Sequence, residues 1–311
     1  MGRILLGLKR VWGSWDDMMQ EFVWFKQAQG LSETTLADYR KHISRFFHRH
    51  PESNPESVKA CVMEYMGQRV APATFNLRLT YLHAFFEWCV KESLLKVNPL
   101  VGIKHRKAEG RTVRIDKEVL VHLITLPNRA TFAGVRDYAL ILLTLDTGIR
   151  PKEAASILKE NVNLHAGEVY VESHVSKTRT ARTLPISVLT CQAIKRLIDS
   201  RHPLWSDKIP VFCTCDGRRF ADFTWRDRLK KYGETLGVKI RPYDLRHCFA
   251  LYFLRNGGNV FALQKFLGHI DLTMTKRYVN LVQQDLREQH DLASPLNVLL
   301  PVRNRMRKAE K

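Results

Sequence analysis

Apolar residues recur at helical spacing through the first hundred positions. Trp15, Met18, Met19, Phe22 and Phe25 share one face behind Ser14, a candidate N-cap. After a turn at Gly30, Ser32 can cap a second helix with a stripe of Leu36, Tyr39, Ile43, Phe46 and Phe47. Pro51 and Pro55 interrupt the pattern. Val58, Cys61, Val62, Tyr65 and Met66 make a third stripe. Pro72 suits the first turn of a fourth helix bearing Phe75, Leu79, Leu82, Phe86 and Cys89. Such aromatic stripes are core-forming, and four helices in roughly 80 residues make a domain-sized bundle. This predicts a helical domain over 12–102.

The period then stops. Residues 103–114, IKHRKAEGRTVR, carry Lys104, Arg106, Lys107, Arg111 and Arg114 against one Glu and read as a basic linker. Beyond it, over 115–300, helix and strand signals mix. Tyr138 to Leu145 is an apolar helical run that ends at Thr147-Gly148, and a short helix follows from Pro151. Glu168 to Glu172 and Thr180 to Ile186 alternate as two strands. Ser187 can cap a helix that reaches about Ser200. A loop with Pro203, Pro210 and Gly217 leads to a helix near Thr224 to Leu236. Three more helices follow: Tyr243 to Asn256, Val260 to Leu267, and Leu272 to about Val282. Residues 301–311 read as a basic tail. The fold class expected is mainly α with a small β-sheet, in two domains.

Charge narrows the functional classes. Fifty Lys and Arg against thirty-one Asp and Glu give a net charge of +19. A polyanionic partner follows, nucleic acid ahead of a membrane surface, and the linker lysines and arginines suit a strap along a DNA backbone. No apolar run approaches the ~18–20 residues that span a bilayer, and the N-terminus lacks the long apolar region of a signal peptide. The six cysteines are scattered without a C-x-x-C pair, so they read as reduced thiols in a cytoplasmic chain rather than metal ligands. No nucleotide-binding glycine loop occurs. Neither a cofactor nor a metal is expected.

Three segments carry candidate chemistry: Thr147-Gly148-Ile149-Arg150-Pro151-Lys152-Glu153, Arg241-Pro242-Tyr243-Asp244-Leu245-Arg246-His247, and Leu267-Gly268-His269-Ile270-Asp271-Leu272-Thr273-Met274-Thr275-Lys276-Arg277-Tyr278. Each alone is commonplace. In this order and spacing they resemble the tyrosine recombinase family, over nearly the whole chain. The run F-L-G-H-x-D-L-T-M-T-x-R-Y is particularly similar to integrases of mobile elements.

The resemblance implies a helical core-binding (SAM-like) domain followed by a mixed α/β catalytic domain. It implies Arg150 and Arg246 as the two catalytic arginines, Glu153 as their acidic support, Lys177 as the hairpin lysine, His269 as the late histidine and Tyr278 as the nucleophile. One position departs: Tyr243 stands where the family usually has histidine, although a neutral phenol can still donate a hydrogen bond to phosphate. His247, beside Arg246, reads as structural. The chemistry is coherent. Planar guanidiniums clamp the oxygens of a phosphodiester and offset charge in the transition state. A tyrosine must shed its proton as it attacks. The resulting 3′-phosphotyrosyl bond conserves energy for rejoining without metal or ATP.

The partners implied are double-stranded DNA, a homotetramer assembled on two sites from free monomers, and accessory DNA-bending or directionality proteins, with no membrane. The cellular place implied is the cytoplasm, at the nucleoid when on DNA. Arg40, Lys41, Asn76 and Arg78 are candidates to read the groove, and 285–300 a candidate element for packing into a neighbouring protomer. Only about fourteen residues precede the first helix, so an added N-terminal DNA-binding domain is not expected. Two other readings share these residues: a type IB topoisomerase, which would relax DNA lacking any site, and a DNA-binding module that has lost catalysis.

Overall fold

The computed structural model describes residues 12–107, 115–176, 178–279, 290 and 294–299. The chain divides into two compact units, 1–111 and 112–311.

The first unit is all helical: α1 (Trp15–Ala28), α2 (Glu33–Phe47), α3 (Val58–Gly67) and α4 (Pro72–Lys91). Ser32 accepts a hydrogen bond from the Thr35 amide and so caps α2, whereas Ser14 makes no side-chain cap. The helical stripes converge on a core rich in rings. Phe22 meets Phe85 edge-on at 5.5 Å between centroids, and Phe46 meets Tyr65 at 5.4 Å and Phe86 at 5.8 Å. Edge-to-face pairs of this kind each add ~0.5–1.5 kcal/mol beyond area burial. Arg78 is buried rather than groove-facing. Its Nη1 donates to the Tyr65 carbonyl at 3.0 Å and to Gln68 Oε1 at 3.1 Å, and its guanidinium lies 4.2 Å from the Tyr65 ring centre. Asn76 holds the backbone of Arg106 through two hydrogen bonds of 2.8 Å. The Arg106 guanidinium covers the Phe75 ring at 3.7 Å. Residues 103–107 therefore lie along α4, with Lys104, Arg106 and Lys107 exposed. Arg111 falls outside the described residues.

The second unit runs α5 (Lys117–Thr125), α6 (Phe132–Thr147), α7 (Pro151–Ala154), β1 (Val162–Asn163), β2 (Glu168–Val171), β3 (Arg182–Pro185), α8 (Val188–Asp199), α9 (Asp222–Thr235), α10 (Pro242–Arg255), α11 (Val260–Leu267) and α12 (Thr273–Val279). A single helical turn occupies Leu296–Leu299. The strands form an antiparallel sheet in the order β1-β2-β3, with Val169 opposite Leu184. Val169, Val171 and Leu184 point into a core that also holds Leu140, Ile141 and Leu143 of α6 and Ile194 and Leu197 of α8. The mainly helical fold with a small sheet is the one the periodicity predicts. The sequence pattern missed α5, β1 and a 3₁₀ turn at Lys159–Asn161, and it drew both longer strands too far at their ends.

A buried carboxylate braces this unit. Asp137 on α6 accepts from Arg136, from Arg228 of α9, and from the Tyr232 hydroxyl at 2.8 Å. Burial, then the Asp137 charge, pushes the Tyr232 phenol up to about 12. Two glycines end helices in the left-handed conformation. Gly148 (φ 63°) closes α6 and Gly268 (φ 58°) closes α11. At Gly148 a Cβ would sit 2.4 Å from the Phe249 ring, so any side chain there would collide with α10. Among the described residues, no helix is long and apolar enough to cross a membrane.

Candidate active site

The tight turn at Gly148 delivers Arg150 to the start of α7. Its backbone N–H donates to Glu153 Oε2 at 3.1 Å, its Nη1 donates to Glu153 Oε1 at 3.0 Å, and its Nη2 donates to the Gly268 carbonyl at 3.1 Å. Glu153 is almost wholly buried and also receives Arg182 of β3, whose Nη1 and Nη2 reach the two carboxylate oxygens at 3.2 and 2.6 Å. Burial alone would push the Glu153 carboxyl up. The hydrogen bonds and charge of Arg182, then the charge of Arg150, outweigh it and hold the pKa below the usual carboxylate range. Arg182 Nε donates to the Phe266 carbonyl at 3.0 Å, which ties the sheet to the end of α11.

Arg246 projects from α10 and is 4% exposed. Its Nη1 donates to the Gly148 carbonyl at 2.6 Å and its Nη2 to the Leu267 carbonyl at 2.8 Å. Among the described residues no carboxylate bonds to it, and Glu153 reaches it only through its charge. Burial, then the Arg150 charge, lowers its pKa to about 10, so it remains cationic at neutral pH. The same Nη2 lies 3.2 Å from His269 Nε2. A guanidinium has no acceptor, so Nε2 accepts and the ring proton sits on Nδ1, where Thr275 Oγ1 receives it at 2.9 Å. Burial, then Arg246 and Arg150, push His269 down to about 4, which makes it a neutral imidazole at pH 7.

Three arginines and one carboxylate thus share a network with excess positive charge, a site prepared for an anion. A cavity of about 740 Å³ runs beside it, bounded by Arg182 and Thr183 of β3, Lys265 and Phe266 of α11, and His269.

Tyr278 lies on α12 with 7% of its surface exposed, packed against Phe249, Leu254, Leu263 and Leu267. Its hydroxyl makes a 2.7 Å hydrogen bond with Nδ1 of His247. The structure therefore joins Arg150, Glu153, Arg246 and His269 directly, and brings Tyr278 against the residue that follows Arg246. Tyr243, in the first turn of α10, is 52% exposed. Lys177 lies outside the described residues. Its hairpin neighbours are described: Ser176 Oγ and Thr178 Oγ1 are 3.0 Å apart.

Sequence reasoning passed over Arg182 and read His247 as structural. The only available signal for Arg182 was its place in an alternating strand five residues after Lys177. His247 gave none beyond its adjacency to Arg246. Among the described residues, no group of three His, Cys, Asp or Glu side chains is placed to hold a metal ion.

Comparison with known proteins places the chain. It is 27% identical over 288 residues to tyrosine recombinase XerC of Thermodesulfovibrio yellowstonii, covering 88% of this chain and 94% of that protein. It is 29% identical over 276 residues to XerC of Salmonella typhi, covering 85% and 91%. Among solved structures, its fold resembles the Tn1549 transposon integrase in complex with circular intermediate DNA, at a TM-score of 0.69 and 17% identity, covering 89% of this chain and 99% of that one. It also resembles a lambda integrase dimer bound to a core site, at a TM-score of 0.65 and 16% identity, covering 85% and 94%. Residues 113–285, more than half the chain, match the phage integrase family. The chain belongs to that family and is a tyrosine-type site-specific DNA recombinase.

Proposed function

We propose that this chain cuts and rejoins double-stranded DNA through a covalent bond between Tyr278 and the 3′ phosphate of the cleaved strand. Arg150 and Arg246 bind the non-bridging oxygens of the scissile phosphodiester. Glu153 holds Arg150 in place. His269, neutral and bonded to Arg246, holds that guanidinium in place for the same phosphate. The Tyr278 oxygen attacks phosphorus as the bond to the 5′ oxygen breaks, and Lys177 supplies the proton that the departing oxygen needs. Tyr243, exposed one helical turn before Arg246, can donate to a phosphate oxygen. Rejoining reverses these steps, with the bond energy kept in the phosphotyrosyl link.

The observation that carries this reading is Arg246. It is a buried cation held by carbonyls and a neutral imidazole, and among the described residues no carboxylate bonds to it. Charge kept unneutralised at such cost suits an anionic ligand.

The helical domain and the exposed Lys104, Arg106 and Lys107, with Arg111, would follow the DNA backbone, which gives affinity without sequence choice. Four such protomers on two sites would complete a recombination, with accessory DNA-bending or directionality proteins deciding its direction. The run from Phe266 to Tyr278 supports a mobile element as the setting. Work on the nucleoid in the cytoplasm follows from a DNA substrate.

Covalent trapping on a library of nicked duplexes, read on a denaturing gel without metal or ATP, tests the proposal. The expected result is a 3′-linked adduct with the wild type and none with Tyr278→Phe. Specific DNA binding by the wild type with no adduct would overturn it.

A further inference from the structure

We propose that His247 is the general base that removes the phenolic proton of Tyr278 during cleavage and returns it during rejoining. The inference rests on the reading of Tyr278 as nucleophile and goes beyond it by naming the proton's destination. A phenol attacking phosphorus must lose its proton, and an acceptor has to lie within about 2.6–3.2 Å of the oxygen. His247 Nδ1 is 2.7 Å from the Tyr278 hydroxyl.

The other candidates at the site are already committed. The His269 Nε2 lone pair faces Arg246, and its Nδ1 proton is held by Thr275. Both Glu153 oxygens are taken by Arg150 and Arg182. The arginines have no lone pair to offer. Tyr243, where the resemblance leads one to expect an imidazole, is a second phenol with no basic nitrogen. The imidazole missing at position 243 is thus matched by one at position 247, four residues on along α10 and so on the same side of the helix.

The placement also couples two tasks. Arg246 and His247 are consecutive on α10, so the backbone that fixes the phosphate-binding guanidinium also fixes the base. The near-complete burial of Tyr278 keeps bulk water from substituting for the imidazole.

With the phenol as donor, His247 is bare at Nδ1 and protonated at Nε2. In cleavage the bond from the Tyr278 oxygen to phosphorus forms, the bond from phosphorus to the 5′ oxygen breaks, and the phenolic proton passes to Nδ1. The 5′ oxygen leaves with a proton from the general acid, the role given above to Lys177. In rejoining, the 5′ hydroxyl attacks phosphorus and returns its proton to the general acid, the bond from phosphorus to the Tyr278 oxygen breaks, and the departing phenolate recovers its proton from the His247 imidazolium.

The test measures single-turnover cleavage of a nicked duplex trapped by the wild type, with DNA binding and thermal unfolding measured on every variant. His247→Ala removes the base, whereas His247→Gln can still accept a hydrogen bond but cannot carry the proton away. Both are expected to slow cleavage by ~10²–10⁴-fold with DNA binding retained. Incorporating 3,5-difluorotyrosine at position 278 makes the phenol more acidic. It should recover cleavage by roughly tenfold or more in the His247 variants and far less in the wild type.

Near-wild-type cleavage by His247→Gln would overturn the proposal, because a passive hydrogen bond would then suffice. So would a His247 defect that the fluorinated tyrosine leaves unchanged. If the wild type forms no adduct on any duplex, the reading of Tyr278 falls and this inference falls with it. If the wild type reacts and the variants react equally, His247 alone is excluded.

Discussion

The helical unit and the candidate active site are held together in opposite ways. The helical unit relies on rings: Phe22, Phe46, Tyr65, Phe85 and Phe86 meet edge to face, and neighbouring helices close on them. The site relies on arginines bonded to carbonyls and to one carboxylate, drawn from α7, β3, α10 and the end of α11. Apolar packing is non-directional and tolerates adjustment, so it serves where only stability is needed. A buried network of directed bonds is costly when one member is lost, but it fixes atoms in place. The difference teaches where atoms are fixed most tightly: in the arginine network, and not in the bundle.

The largest expected effect breaks the comparison on the side of chemistry. Tyr278→Phe should eliminate the covalent adduct while lowering the urea midpoint only modestly, because the ring stays packed and one hydrogen bond, to His247, is lost, ~0.5–1.5 kcal/mol. Glu153→Gln comes next. It leaves Arg150 and Arg182 facing a neutral amide in a buried site, for which removal of one partner costs ~3–5 kcal/mol. Urea unfolding should show that loss, together with a cleavage defect at temperatures where the protein is still folded. Phe86→Ala should cost a similar ~3–5 kcal/mol through its cavity, yet the cleavage rate of the folded fraction should stay at the wild-type value. Equal effects of the last two variants on cleavage would show that the two regions are not separable in the way described here.

Acid sharpens the contrast. Glu153 has a folded pKa below its unfolded value, so its stabilisation is present above the unfolded carboxylate pKa and is lost as pH falls through the folded one. His269 is pushed down to about 4 from an unfolded value near 6.5. Between those values the unfolded chain binds the extra proton, and stability falls as pH drops from 6.5 toward 4. Urea titrations across this range should show a shallower fall for His269→Asn. The Phe86 side chain carries no ionisable group, so Phe86→Ala should leave the slope intact.

The smallest effect concerns the strap residues. Lys104→Ala should weaken DNA binding similarly on all sequences and lower the salt dependence by about one unit of log–log slope. Gel shifts at several salt concentrations would read it.

The bundle was legible because its partners are periodic. Stripes such as Leu36, Ile43, Phe46 and Phe47 announce a face without saying what covers it, and any apolar neighbour will do. The three motifs were legible because Arg150, Glu153, Arg246, His269 and Tyr278 sit in short recognisable runs. Arg182 was not, because its meaning lies in Glu153, 29 residues earlier, and in the Phe266 carbonyl, 84 residues later. His247 was hidden by the same distance, since Tyr278 follows it by 31 residues. Helix α5 has nine residues beside a basic segment, too short a run for its apolar positions to show a period. β1 has two residues and exists only because β2 pairs with it.

Arg246 binds the carbonyls of Gly148 and Leu267, and Tyr278 comes later in the chain than either. During synthesis the order of emergence therefore matters. A ribosome-bound chain can complete its arginine cradle once Leu267 and His269 are out, while Tyr278, nine residues further on, is still enclosed in the exit tunnel. On the reading proposed above, such a chain would gain its grip on an anion before its capacity to cut.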